Sequence, residues 1–248
     1  MKIQAMTDTG LVRQNNEDAF WFDNGLQAIA IADGMGGHNG GEIASRMAVE
    51  NFAVRCERIL SHRNTAALFS TMYSAIIPAI DKLITQASRN DNNLHGMGTT
   101  LVGTVFHEDC LHVTHIGDSR VALISTIDKT LKWLTRDDNL AEFMVVKGEL
   151  TPEQARRSHY RHALTACIGG RGESHFTDVH YQRLAWPRDC LLLLCTDGLL
   201  DNTEDHEIVN NCINVLPGNL TAACSNLVEL ANSKGGRDNC TVVLASRD

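Results

Sequence analysis

Six carboxylates stand where apolar runs end or where glycine lies close by. They are Glu17 and Asp18 before the strand-like Ala19 to Phe22, Asp33 after Ala28 to Ala32, Asp118 after Val113 to Gly117, Asp197 after Leu191 to Thr196, and Asp238 within Gly235 to Asn239. A strand end packed into a core fixes the direction of its side chain, and an adjacent glycine lets the backbone turn sharply or bring a carbonyl oxygen close to a ligand. One Asp-Gly pair taken alone reads as a turn. Repeated along the chain, such acids either lie apart in the fold or are neutralised by metal, because clustered carboxylates repel one another and resist ionisation. Oxygen donors with no accompanying His-Cys set favour Mg²⁺ or Mn²⁺ over Zn²⁺. Two such ions bridged by carboxylates and water can generate a hydroxide nucleophile near neutral pH and hold phosphate oxygens. Arg13, just upstream of Glu17 and Asp18, carries the planar fork suited to bidentate phosphate binding.

The elements that must position these side chains are short apolar runs alternating with helical patterns. Leu26 to Ala32 reads as a buried strand, Asp33 to Gly37 as the turn after it, and about Glu42 to Leu60 as a helix. Leu68, Met72, Ile76, Ala79, Leu83 and Ala87 keep the spacing of a second helix, which Pro78 should kink or split. From Thr99 to Leu134 the pattern alternates as in an antiparallel meander, with His107-Glu108-Asp109 as a turn. The polar stretch Asp137 to Arg171, helix-like at Leu140 to Val146 and Pro152 to Arg157, reads as an insertion covering one end of a sheet. Strands at Val179 to Tyr181 and Cys190 to Thr196 follow, then helices near Glu204 to Cys212 and along Leu220, Cys224, Leu227 and Ala231, then a strand at Thr241 to Ala245. Grouped strands with helices between them indicate layered sheets with helices outside. No linker, repeat or low-complexity tract interrupts the chain, which favours one domain over residues 1–248.

Composition removes several classes. The 248 residues are 43% hydrophobic and 21% charged, enough for one sizeable core. With 22 Lys+Arg against 30 Asp+Glu the net charge is −8, so the basic surface needed for nucleic acid or an anionic membrane is not expected. The longest apolar run, Cys190 to Cys195, is far short of the roughly 18–20 residues that span a bilayer, and Met1 to Gln4 leads into no signal-peptide core. A cytoplasmic protein is expected. Eight cysteines without a C-x-x-C pair, most within apolar stretches, read as buried free thiols. The Cys-x5-Arg loop of thiol phosphatases, the H-E-x-x-H zinc motif and the G-x-x-x-x-G-K phosphate loop do not occur.

Seven motifs, in order, resemble those of the metal-dependent protein phosphatases of type 2C, the PPM family, in its compact bacterial form. They are Gly10 to Asp18 (GLVRQNNED), Ala32 to His38 (ADGMGGH), Gly96 to Leu101 (GMGTTL), His115 to Arg120 (HIGDSR), Ala163-Leu164-Thr165 with Ile168-Gly169, Cys195 to Leu199 (CTDGL) and Gly235 to Thr241 (GGRDNCT). The resemblance implies an α+β fold, a four-layer α-β-β-α sandwich of two antiparallel sheets flanked by helix pairs, with a metal centre at one edge. It implies hydrolysis of phosphoserine and phosphothreonine with two Mn²⁺ or Mg²⁺ ions. By position, Asp33 would bridge the ions, Asp197 and Asp238 would bind the first, and the Gly34 carbonyl with Glu17 the second. Asp118 with Asp197 would form a third, weaker site. Arg13 would hold the substrate phosphate, and Asp18 would orient Arg13 or metal-bound water. The partners implied are phosphorylated proteins, a Hanks-type kinase whose action is reversed, and its phosphopeptide-binding scaffold, with the enzyme a monomer.

The chain departs from the family pattern at Met35, where members with D-G-H-G-G carry a histidine able to protonate the leaving alkoxide; a thioether cannot do so. Metal-bound water or another group must supply that proton, and His38 is the nearest histidine in sequence, otherwise a residue of the turn or helix start. The insertion from about 137 to 171 corresponds to the family's flap. Its stretch Arg156 to His162 is densely basic, which suits either steering of an acidic partner or a solvated helix face. Two other classes compete with a phosphatase: a catalytically silent phosphoprotein-binding module, opposed by the complete set of acids, and a two-metal nuclease, opposed by the acidic charge balance.

Overall fold

The computed structural model describes residues 1–36, 40–61, 66–170, 179–215 and 219–247. In chain order the elements are β1 (Lys2–Asp8), β2 (Asp18–Asp23), β3 (Ala28–Met35), α1 (Gly40–Leu60), α2 (Ala66–Ser74), α3 (Ile76–Asn90), β4 (Gly98–Thr99), β5 (Leu101–His107), β6 (Cys110–Ile116), β7 (Arg120–Ser125), β8 (Thr130–Trp133), α4 (Leu140–Val146), α5 (Pro152–Arg157), β9 (Ile168–Gly169), β10 (His180–Ala185), β11 (Cys190–Cys195), α6 (Asp205–Ile213), α7 (Leu220–Ser233) and β12 (Cys240–Ser246). One sheet has the order β1-β12-β11-β7-β8; the other has β10-β6-β5-β3-β4-β9, with β2 on β3. Every pairing is antiparallel.

Strand periodicity of two separates the layers. In β3, Ile29 and Ile31 face the other sheet, where they meet Val121, Leu192, Leu194 and Val243. Ala28, Ala30 and Ala32 face the opposite way, onto the layer of α1, α2 and α3. The same alternation sends Leu191, Leu193 and Cys195 of β11 toward α6 and α7. Two helical layers therefore enclose two sheets, the expected α-β-β-α sandwich. Small residues on the helix-facing side let α1 pack close: a Cβ at Gly103 would lie 2.1 Å from the Phe52 ring, so glycine makes the socket for that side chain. All eight cysteines are free, and Cys56, Cys195, Cys212, Cys224 and Cys240 are buried among apolar neighbours.

Several sequence expectations shift. Asp33-Gly34 is not a turn: β3 runs on through it to Met35, because β2 pairs with Asp33 on one side and β4 pairs with Gly34 and Met35 on the other. Gln27, expected in the strand, has φ 52° and belongs to the turn before it. The helical pattern is split as Pro78 requires, into α2 and α3, since proline can neither donate to the Ser74 carbonyl nor clear it. The break comes at Ala75, and Pro78 sits in the first turn of α3, where a backbone N–H has no intrahelical partner to lose. The sequence pattern does not predict strand β1, since only Ile3 is buried and the strand edges its sheet. Among the described helices none is long and apolar enough to cross a membrane.

Between β8 and β9 the chain forms the flap. Asn139 caps α4 by accepting from the Glu142 N–H, and Thr151 with Gln154 forms a capping box on α5 behind Pro152. Arg120 grips the flap's root through Asp137 with two bonds of 2.6 and 2.7 Å. The basic stretch divides between internal ion pairs and a solvated helix face. Arg156 pairs with Asp205 at 2.8 Å and Arg161 with Asp201 at 2.7 Å, so two of its cations dock the flap onto the start of α6 and the segment before it. Arg157 pairs with Glu153 on the exposed face.

Candidate metal centre

The carboxylates converge at one edge of the two sheets. Asp18 and Asp33 are direct cross-strand partners of β2 and β3. Cross-strand neighbours project to the same face, so these two acids are necessarily close. Asp33 is held by its backbone: its N–H donates to Thr100 Oγ1 at 2.9 Å, and its carbonyl accepts from Thr99 Oγ1 at 2.8 Å and from the Thr100 N–H at 2.9 Å. Burial, then Asp18, Asp197, Asp118 and Asp238 in that order, push its carboxyl well above the usual carboxylate range. Asp197, which opens a 3-10 turn directly after β11, is raised in the same way by burial and by Asp118 and Asp238. Asp118 is 7% exposed and pushed up to about 7, chiefly by burial and then Asp137. Asp18 is also pushed up to about 7 by burial, despite its hydrogen bond from Thr196 Oγ1 at 2.8 Å.

Two oxygens carry the argument for a cation. Asp18 Oδ1 and Asp197 Oδ1 are buried without any hydrogen-bond partner. A buried carboxylate oxygen left unpaired is costly, and five mutually repelling aspartates multiply that cost unless positive charge enters. The donors around this point are oxygens, the set that suits Mg²⁺ or Mn²⁺. The residues present therefore fit divalent ions.

Glu17 is anchored by its main chain, whose N–H donates to Asn239 Oδ1 at 2.8 Å and whose carbonyl accepts from Ser45 Oγ at 2.6 Å and the Gly34 N–H at 3.1 Å. Glycine is required at position 34: a Cβ there would lie 2.1 Å from the Gly41 carbonyl oxygen and 2.6 Å from that of Glu17. Arg13 donates to Asp238 Oδ2 at 2.7 Å, while Asp238 Oδ1 accepts from the Asn239 N–H at 2.8 Å. Arg13 thus lies beside the acids with Asp238 as its hydrogen-bonded partner, whereas Asp18 is held by Thr196. Met35 ends β3 opposite Gly98 and offers no proton. His38 lies outside the described residues.

A cleft of about 730 Å³ lies between flap and body, with Asp118, Asp197 and Asp201 on one side and Arg161 and His162 on the other. A ring nitrogen of His162 and carboxylate oxygens of Asp197 and Asp201 lie within 4.8 Å of one another, and Arg161 Nε donates to His162 Nε2 at 3.1 Å. Sequence reasoning missed His162 and Asp201, and also Thr196 and Asn239, which hold Asp18 and Glu17. Asn239 and Thr196 lie next to the acids in sequence, a signal that was available; His162 is brought in only by the flap.

With this geometry, the family is defined: residues 7–226 match the family model described as protein phosphatase 2C, and the chain belongs to that family. It is 32% identical over 261 residues to a serine/threonine phosphatase stp of Listeria monocytogenes, covering 100% of this chain and 96% of the relative. It is 34% identical over 245 residues to the serine/threonine protein phosphatase PstP of Mycobacterium tuberculosis, covering 99% of this chain but 45% of that protein, so the chain spans about half the length of this relative. The crystal structure of the PstP catalytic domain in complex with 2 manganese ions superposes with a TM-score of 0.83 at 31% identity, over 99% of this chain and 97% of that one.

Proposed function

We propose that this protein hydrolyses phosphoserine and phosphothreonine in proteins, using Mn²⁺ or Mg²⁺. The observation that carries the proposal is the convergence of Asp18, Asp33, Asp118, Asp197 and Asp238, with two buried oxygens unpaired, beside the half-exposed Arg13. Membership of a phosphatase family and the manganese ions in the PstP domain support it. Asp33 would hold both core ions, Asp197 and Asp238 the first, Glu17 with the Gly34 carbonyl the second, and Asp118 with Asp197 a weaker third. Bound ions would supply Lewis-acid activation of water and charge compensation for phosphate.

The chain's own groups do the positioning. Arg13, half-exposed and oriented by Asp238, would hold the substrate phosphate bidentately. Thr196 donates to Asp18 and accepts from the Thr241 N–H at 2.9 Å, fixing the acid while leaving its Oδ1 for water or an ion. With methionine at position 35, that side chain cannot protonate the leaving alkoxide, so water or another group would supply the proton. Residues 1–248 would act as one domain with the flap as a cover beside the site. Phosphorylated proteins are the substrates, a Hanks-type kinase the enzyme opposed and its phosphopeptide-binding scaffold a partner, with the phosphatase a cytoplasmic monomer.

The test is a panel with Mn²⁺: a phosphothreonine peptide, a phosphotyrosine peptide and a single-stranded oligonucleotide. Phosphothreonine should be hydrolysed fastest and the oligonucleotide left intact. Cleavage of the oligonucleotide at a comparable rate would favour the nuclease class, and a folded protein inert on all three would favour the binding module.

A further inference from the structure

A second cluster of ligating side chains lies at the root of the flap, built from different donors. His115 of β6 and His180 of β10 are direct cross-strand partners. Their rings stack, with centroids 4.5 Å apart and planes 17° from parallel. Asp138, the second residue of the flap, contacts His180 Nε2 through Oδ1 at 2.9 Å and accepts the Gly117 N–H through Oδ2 at 2.9 Å. One ring nitrogen from each histidine and one oxygen of Asp138 lie within 4.8 Å of one another.

The chemistry of this set contrasts with the all-oxygen centre. Two imidazoles and one carboxylate suit borderline divalent ions, zinc above all, whereas Mg²⁺ prefers oxygen alone. We propose that His115, Asp138 and His180 form a binding site for a divalent ion of the zinc class, separate from the acidic centre, which clamps the flap's root to the β6–β10 edge.

His115 is 4% exposed, and burial lowers its pKa, keeping the ring neutral, the form that binds metal. The Arg136 carbonyl, 3.0 Å from His115 Nε2, fixes that ring from outside, as an outer hydrogen-bond partner of a metal ligand does. His180 has a side chain 40% exposed, so an ion has a path in from solvent. Near-parallel rings do not aim two nitrogens at one point, so binding requires them to tilt together and the His180–Asp138 hydrogen bond to give way to ligation. The site would act on the flap because Asp138 also exchanges main-chain bonds with its surroundings: its N–H donates to the Gly117 carbonyl at 3.0 Å and its carbonyl accepts the Thr165 N–H at 2.8 Å.

Equilibrium dialysis of the intact protein against micromolar Zn²⁺ in millimolar Mg²⁺, with bound zinc counted by elemental analysis, tests this. The comparison is His180→Phe, which keeps a ring stacked on His115 and removes both nitrogens. The variant should bind one equivalent of zinc fewer than the natural protein, and the visible absorption of a nitrogen-ligated Co²⁺ ion should disappear with it. Asp138→Asn keeps an acceptor for Gly117 and should weaken zinc binding at least roughly tenfold; it decides the matter if His180→Phe alters the circular dichroism. Equal zinc uptake and superimposable cobalt spectra in all three proteins would overturn the proposal.

Discussion

The Arg13 guanidinium donates to Asp238 Oδ2 at 2.7 Å, joining residues 225 positions apart in sequence. The arginine side chain is 50% exposed and the aspartate 27%, so this pair is preplaced at the mouth of the acidic cluster without being locked there. Exposed ion pairs contribute little to stability, which fits a cation kept for a ligand.

Arg13→Ala should therefore leave the fold intact and weaken phosphopeptide turnover. Loss of a charge-assisted contact worth about 1.5–3 kcal/mol corresponds to roughly 10- to 100-fold in kcat/KM. Steady-state kinetics should show most of this in KM, and Arg13→Lys should recover only part of it, because an ammonium cannot grip phosphate bidentately.

Asp33 is crowded by four other aspartates, so its removal should have opposite effects on stability and activity. Asp33→Asn should raise the melting temperature in EDTA, abolish the further rise on adding Mn²⁺, and reduce kcat at least about a hundredfold, the scale of losing several kcal/mol of charge stabilisation. Differential scanning calorimetry with and without metal checks this. A lower melting temperature in EDTA would mean the acids do not repel one another as their placement requires.

The pH dependence has a definite sign. Asp18 and Asp118 are raised from 3.8 to about 7 in the folded protein, so the folded state holds protons that the unfolded chain has lost. Stability of the metal-free protein is therefore favoured below the unfolded value and falls as pH rises through that window, with the penalty complete above about 7. Protons also compete with metal, so the gain in melting temperature on adding Mn²⁺ should be larger at about pH 8 than at about pH 5.5. An equal gain at both would contradict the convergence of the acids.

The flap is fastened by Arg161–Asp201 and Arg156–Asp205. Arg161→Ala should shift the global melting temperature little, since partly exposed pairs are worth about 0–1 kcal/mol. It should nevertheless speed hydrogen exchange and proteolysis within residues 140–162, because local opening responds to local contacts. Mass-spectrometric exchange resolves the two effects.

What was legible in the sequence was whatever rests on neighbours in the chain. Asp33 ends the apolar run within β3, Asp197 follows that of β11, both adjoin glycine, and α4 and α5 carry their own caps, so their positions could be read directly. Interactions set by tertiary contact were not. Pairing by β2 and β4 extends β3 through a dipeptide that locally favours a turn, and β1 depends on β12 more than on its own pattern. The partners of Arg156 and Arg161 come from the segment after β11, which a reading of charge density alone cannot supply. The stacked His115 and His180 lie far apart in sequence and meet only through sheet register.

The most direct measurement is phosphate release from a phosphothreonine peptide by the natural protein with Mn²⁺, by the same protein in EDTA, and by Asp238→Ala with Mn²⁺. Release that requires the metal and disappears in the variant is the expected result. Undiminished release in EDTA, or from Asp238→Ala, would contradict a reaction that depends on cations held by these carboxylates.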